Sequence, residues 1–216
     1  MVNRPAGGAR SERYEREPYD WYCEDTRPVD QLMGAIDFED DLIYDPSCGR
    51  GNILDVAKRR GHQTIGSDII RRTCPVQGSP VDARHKFVRG NFLLLSRAPV
   101  VAGLGFSIIN NPPYSYQPDI CEKFIRKALT LPLRRAAFLV PIAFLNSNDR
   151  WAFFQRDFRP SHVAILSERP SMPPGSKITP YTEFKGGMQD YVWIIYTAGN
   201  GHRWRTETIW LRPSCI

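Results

Sequence analysis

Leu42-Ile43-Tyr44-Asp45-Pro46-Ser47-Cys48-Gly49-Arg50-Gly51-Asn52 decides how the rest of the chain is read. A short apolar run comes first, then a turn with two glycines, then a helical pattern over 52–60 that Gly61 ends. Such a run reads as a buried strand, and glycine just past the last periodic residue is a common helix terminus. The pattern recurs downstream: 64–67 ends at Asp68, Phe87-Val88 ends near Asn91, and 106–110 ends at Asn111, at steps of about 20 residues. Each step has room for one strand and one crossover, which predicts βα repetition and a parallel sheet. Polar residues close four consecutive units, where ligands of such sheets sit. A purely structural sheet does not need them there.

Further elements follow by the same reasoning. Thr26 caps an expected helix with Pro28 in its first turn and Val29, Leu32, Met33 and Ile36 on its apolar face. Helices are expected over 120–129 and 148–154. Strands are expected over 136–140, 162–166 and 191–196, the last paired with 206–211. A loop rich in proline and glycine spans 168–189. Residues 1–20 lack sustained apolar periodicity and read as a mobile tail, with Tyr14 and Tyr19 free to dock, so 21–216 forms a single domain.

The 216 residues are 42% apolar and 24% charged, which excludes disorder over the whole length. The longest apolar run, 136–145, contains a proline and falls short of the ~20 residues a membrane span needs. The first 20 residues carry no apolar core of a signal peptide, so a cytoplasmic protein is expected. Five cysteines without a CxxC pair read as free thiols in a reducing compartment, and neither they nor the four histidines have metal-site spacing. The net charge of +6 is modest and tilts only slightly toward polyanions. Lys58-Arg59-Arg60 ends a helix, where the dipole favours cations, with a DNA contact as the alternative. Arg134-Arg135, Arg203 and Arg205 read as solvated charges.

Two motifs carry chemistry. The first is the turn 45–52, whose glycines let the backbone approach a ligand. It lacks the third glycine of the dinucleotide fingerprint, which argues against a nicotinamide cofactor. Asp68, at the end of the next strand, can take both hydroxyls of a ribose. The second is Asn111-Pro112-Pro113-Tyr114. Two prolines fix the backbone and remove N–H donors, leaving the Asn111 side-chain oxygen and the Pro112 carbonyl as acceptors. The Tyr114 ring adds a flat face. Two acceptors and a stacking face suit a planar exocyclic amine.

Taken together, 45–52 and 111–114 resemble motifs I and IV of the S-adenosylmethionine (SAM)-dependent amino-methyltransferases, in particular the N6-adenine DNA methyltransferases with the SAM motif first. The resemblance runs over about 20–213. Trp21-Tyr22-Cys23-Glu24-Asp25-Thr26 is similar to the segment that touches the methionine end of the cofactor. Residues 169–175 and 191–193 resemble the late segment of small methyltransferases carried by phages and prophages of proteobacteria.

The resemblance implies an α/β, Rossmann-like class I methyltransferase fold: a mostly parallel seven-stranded sheet with an antiparallel strand near the C-terminus. It implies SAM as cofactor, held by Tyr22, Thr26, Asp45, Pro46, Cys48, Gly49 and Gly51 at its amino-acid end, by Asp68 at the ribose, and by Ile69, Asn91 and Phe92 around the adenine. Asn111, Pro112, Pro113 and Tyr114 would be catalytic. Met172 would face the target base, and Tyr116 either joins that pocket or packs. Arg50 departs from the pattern and is expected to point to solvent or to a phosphate.

The implied reaction is methylation of adenine N6 in DNA. Two acceptors on the amine hydrogens would localise a lone pair otherwise delocalised into the ring, and most of the catalysis would be positioning. No Pro-Cys dipeptide is present to serve a cytosine-C5 mechanism. In duplex DNA the target base would be flipped out, with Tyr114 replacing lost stacking. No separate target-recognition domain is expected, so selectivity would come from the 168–189 loop and the tail, or be weak. RNA amines (adenine or guanine) and a protein glutamine amide are the alternative acceptors. A SAM- or nucleic-acid-binding module without catalysis is the alternative of another class, against which the intact Asn111–Tyr114 set argues.

Overall fold

A computed structural model describes residues 17–74, 78–99, 101, 103–199 and 205–213; of the expected 1–20 tail, 1–16 lie outside them and Pro18–Asp20 form a short helical turn. The elements are α1 (Arg27–Ala35), β1 (Leu42–Asp45), α2 (Asn52–Arg59), β2 (Thr64–Asp68), β3 (Thr73–Cys74), β4 (Ser79–Pro80), β5 (Lys86–Arg89), β6 (Phe106–Asn110), α3 (Ile120–Ala128), β7 (Arg135–Pro141), α4 (Asn148–Ala152), β8 (His162–Leu166), β9 (Tyr191–Thr197) and β10 (Glu207–Leu211).

Eight strands form one sheet in the order β10-β8-β9-β7-β6-β1-β2-β5. β9 runs antiparallel to both of its neighbours, β7 and β8; every other pairing in the sheet is parallel. The expected seven strands therefore become eight. The expected pairing of 191–196 with 206–211 is replaced by a parallel pairing of β10 with β8, from Glu207 opposite His162 to Leu211 opposite Leu166. Both edges of β9 are already occupied, so β10 takes the outer edge.

Sidedness explains why β1, β6 and β7 are apolar over most of their length: both faces are covered. Leu42, Tyr44, Ile108, Phe138 and Val140 pack with Phe124 and Ile125 of α3 on one face. Ile43, Ile109, Ala137 and Leu139 pack with Val29 and Leu32 of α1 and Ile53, Val56 and Ala57 of α2 on the other. Trp193 of β9 is fully buried in this second layer and donates its indole N–H to the Pro28 carbonyl at 3.1 Å.

Not every crossover is helical. Between β2 and β5 the chain forms the β3–β4 hairpin and a single turn over Val81–Ala83; between β5 and β6 it forms a short turn over Phe92–Leu94. Pro80, Pro99, Gly103 and Gly105 in these stretches disfavour a longer helix. Thr26 precedes α1 as expected but makes no side-chain cap hydrogen bond. The helix expected over 148–154 gives way after Ala152 to a wider turn over Phe153–Asp157.

Candidate active site

β1 lies between β2 and β6, and the chain leaves β1 in one direction and returns on its other side. At such a switch point the strand ends diverge and leave a crevice. Asp45, Asp68 and Asn110 are the last residues of β1, β2 and β6; Asp45 and Asp68 line a cleft there, with Asn111 after β6, while Asn110 is buried.

The turn after β1 is held from both sides. Asn110 donates through Nδ2 to Asp45 Oδ1 (2.8 Å) and to Ser47 Oγ (2.7 Å). Asp68 Oδ2 accepts the Gly49 N–H at 2.9 Å, and its Oδ1 accepts the Ile70 N–H at 3.0 Å. Gly51 stands at the N-terminus of α2 with φ +92°, and a Cβ there would come within 3.2 Å of Val81 Cγ2. Its role is conformational, since only glycine tolerates that backbone cheaply.

Expected site residues that line the cleft are Tyr22, Asp45, Pro46, Cys48, Gly49, Asp68, Ile69, Asn91 and Phe92 on one side and Asn111, Pro112, Pro113, Tyr114 and Tyr116 on the other. Gly51 shapes the turn behind it. Met172 packs instead beside the second core layer, and Thr26 flanks α1, so neither reaches the cleft lining.

Three contacts organise the Asn111–Tyr114 turn. Asn111 Nδ2 donates to Glu24 Oε2 at 2.8 Å. The Tyr114 hydroxyl lies within hydrogen-bond reach of both Asn111 Oδ1 and the Leu139 carbonyl, the latter at 2.9 Å, and shares its single proton between these two acceptors. Asp20 Oδ2 accepts the backbone N–H groups of Tyr114, Ser115 and Tyr116 at 3.1, 2.5 and 2.7 Å. The Tyr114 ring thus lines the cleft while its hydroxyl points into the protein. Its bond to Asn111 Oδ1 leaves the second lone pair of that oxygen for another donor.

The segment before α1 contributes more than the sequence suggested. Trp21 and Tyr22 pair with the 168–189 loop: Tyr22 bridges to Pro174, the Cys23 N–H donates to the Pro173 carbonyl at 3.0 Å, and the Gly175 N–H donates to the Trp21 carbonyl at 2.8 Å. A Cβ at Gly175 would collide with the Trp21 ring. Tyr19 meets Tyr116 edge to face at 5.9 Å, and Arg72 lies 4.0 Å over the Trp21 ring. Asp20 fell in the expected tail and carried no signal, whereas Trp21 and Glu24 belong to the 21–26 segment expected at the cofactor; their individual contacts emerge only from folding against the cleft. Arg50 corrects the expectation of a solvent-facing side chain. It is 5% exposed, donates from Nε to Asn52 Oδ1 at 2.9 Å, lies 5.4 Å from the Phe184 ring, and leaves Nη1 without a hydrogen-bond partner. Lys58, Arg59 and Arg60 serve packing: both arginines pair with Asp30 of α1, at 3.4 and 3.2 Å, and Lys58 donates to the Arg84 carbonyl. Arg134 and Arg135 pair with Glu39.

Burial dominates the electrostatics of the site. Burial pushes the Glu24, Asp45 and Asp68 carboxyls above their ordinary range, and Glu24 raises Asp45 further. Hydrogen bonds from Asn111, Asn110 and the Gly49 and Ile70 amides act against the shift without cancelling it. Burying a carboxylate is costly, and positive charge close by lowers the cost, as Arg50 does at Glu24 and Arg72 at Asp68.

No protein-family profile and no curated protein matches the chain. Solved structures do. A provisionally assigned RNA methyltransferase of Pyrococcus horikoshii superposes with a TM-score of 0.56 at 14% identity, over 80% of this chain and 82% of that one. The 23S rRNA methyltransferase ErmE gives 0.50 at 12%, over 81% and 69%. A dimethyladenosine transferase of Plasmodium falciparum gives 0.50 at 16%, over 79% and 60%. The fold is that of the SAM-dependent methyltransferases: an α/β sandwich, mostly parallel, with an antiparallel strand near its C-terminal end. No helix among the described residues is long and apolar enough to cross a membrane.

Proposed function

We propose that this chain is an enzyme that transfers a methyl group from SAM to an exocyclic amine, and that the amine is adenine N6 in DNA. The observation that carries the reading is the placement of Asn111 Oδ1, with a lone pair to spare, on the same cleft as Asp45 and Asp68.

The residues fit the cofactor. SAM carries a sulfonium, an ammonium and a carboxylate, and supplies an electrophilic methyl group when bound. Glu24 and Asp45 are buried carboxylates that suit its cations, and the unpartnered Nη1 of Arg50 suits its carboxylate. Asp68 keeps lone pairs for ribose hydroxyls after accepting two backbone N–H groups. Asn91 and Phe92 line the cleft past Ile69, where an adenine ring would lie.

At the amine, Asn111 Oδ1 and the Pro112 carbonyl accept its two hydrogens and turn the nitrogen lone pair toward the methyl group. The nitrogen would gain the methyl group as the carbon–sulfur bond of SAM breaks, with S-adenosylhomocysteine as the leaving group and one amine proton passing to solvent. Positioning of this kind supplies a large share of a barrier reduction without any covalent intermediate on the protein. DNA is favoured by the resemblance of 45–52 and 111–114 to N6-adenine DNA methyltransferases and by the net charge of +6. Tyr181 and Met188 of the 168–189 loop are exposed apolar side chains, and the same loop pairs through Pro173–Gly175 with Trp21–Cys23 at the cleft.

Labelled SAM incubated with DNA, RNA and protein pools, followed by digestion and mass spectrometry, tests this. N6-methyladenine in DNA is the expected product. Methylated RNA amines or glutamine would replace the substrate while keeping the chemistry, and no transfer to any pool would overturn the enzyme reading.

A further inference from the structure

Asn111 poses a problem that its own geometry does not solve. The two ends of a side-chain amide have nearly the same shape, yet only the oxygen can accept a hydrogen from the target amine. If the amide turned over, Nδ2 would face the amine and repel it. Tyr114 does not settle the orientation alone, because a hydroxyl both donates and accepts and can satisfy either end.

We propose that Glu24 is the positioning residue that settles it: its carboxylate holds Asn111 Nδ2 and so presents Oδ1 to the target amine. The inference rests on the amino-methyltransferase reading of Asn111. An ionised carboxylate only accepts, so its contact with Asn111 at 2.8 Å admits one orientation of the amide. The contact is sheltered, since Glu24 is 8% exposed, and a charge-assisted hydrogen bond in such surroundings is stronger than in water. The Glu24 main chain is anchored as well, because its carbonyl accepts from Asn52 Nδ2 at the start of α2. Burial raises the Glu24 carboxyl, and the Asn111 bond and Arg50, buried beside the cleft, act in the opposite direction and favour the ionised form. Drawing electron density through the amide also makes Oδ1 the better acceptor. Toward the target amine Glu24 therefore acts through Asn111 and need not touch that amine.

A charge exchange tests this. Asn111→Asp sets two carboxylates against each other and should lower kcat about 100-fold; Glu24→Gln leaves a neutral bond and should lower it about 10-fold. The double variant E24Q/N111D rebuilds one charge-assisted bond with donor and acceptor exchanged and the net charge unchanged. Its kcat should lie within about 10-fold of the unsubstituted protein, far above the roughly 1,000-fold loss of two independent effects. Methyl transfer is read on whichever pool the unsubstituted protein modifies, with S-adenosylhomocysteine affinity and melting temperature on the same samples. Losses that multiply, full kcat in Glu24→Gln, or a double variant less stable than both singles each overturn the inference. Absence of transfer by the unsubstituted protein overturns the reading beneath it instead.

Discussion

Asp45 shows how much of this site is a compromise between folding and binding. One of its oxygens accepts from Asn110 and from the Ser47 amide, which an asparagine at the same position can also do. What asparagine lacks is the charge. Burial, and then Glu24, hold the Asp45 carboxyl well above the ordinary range. A carboxyl raised on folding stabilises the fold most below its unfolded pKa, and that contribution is lost as pH rises through the folded value. At neutral pH the ionised group therefore costs stability. Asp45→Asn should raise the melting temperature of the ligand-free protein at pH 7–8 by a few degrees, at about 2–4 °C per kcal/mol in a chain of this size, and not below about pH 4. The same change should weaken SAM. Affinity of the unsubstituted protein for SAM should fall as pH is lowered from 8 toward 5, because protonated Glu24 and Asp45 no longer attract its cations. Calorimetry across that range checks this; a flat profile would contradict it.

At the scale of elements, the turn after β6 depends on a segment more than 90 positions away in sequence. Asp20 gathers three consecutive amides of the Asn111–Tyr116 stretch, as a side chain does when it caps a helix start. Asp20→Ala should leave those amides unpaired and loosen the turn by about 1–3 kcal/mol. Hydrogen exchange at Tyr114, Ser115 and Tyr116 should quicken while β1 and β7 keep their protection; unchanged exchange at the three amides would contradict it. This long-range clasp marks where the sequence stops being legible. Asp45, Asp68, Asn91 and Asn111 could be read because each closes an apolar run, and the prolines and glycines around them are local signals. Asp20 and Glu24 gave no such signal, since their partners are chosen by how the segment before α1 crosses the cleft. Arg50 was misread for the same reason: its neighbour Phe184 sits in a loop far along the chain. The β10 pairing failed because order along the sheet depends on which edges are already taken, which no local pattern records.

The whole molecule carries +6 on 216 residues, and many of its surface arginines are paired with carboxylates. Affinity for random duplex DNA should therefore be largely electrostatic and weakly selective, falling steeply between low and moderate salt. Salt-independent binding, or strong preference for one short site, would contradict this. On the proposed reading cofactor and amine meet in the cleft that Asp45, Asp68 and Asn111 line. The most direct measurement takes the unsubstituted protein and Asn111→Ala side by side and reads labelled methyl transfer, S-adenosylhomocysteine affinity and melting temperature. The expected result is loss of transfer by about 100-fold or more with cofactor affinity and melting temperature retained. Full methyl transfer by Asn111→Ala, or a joint fall of all three readings, would contradict the central claim.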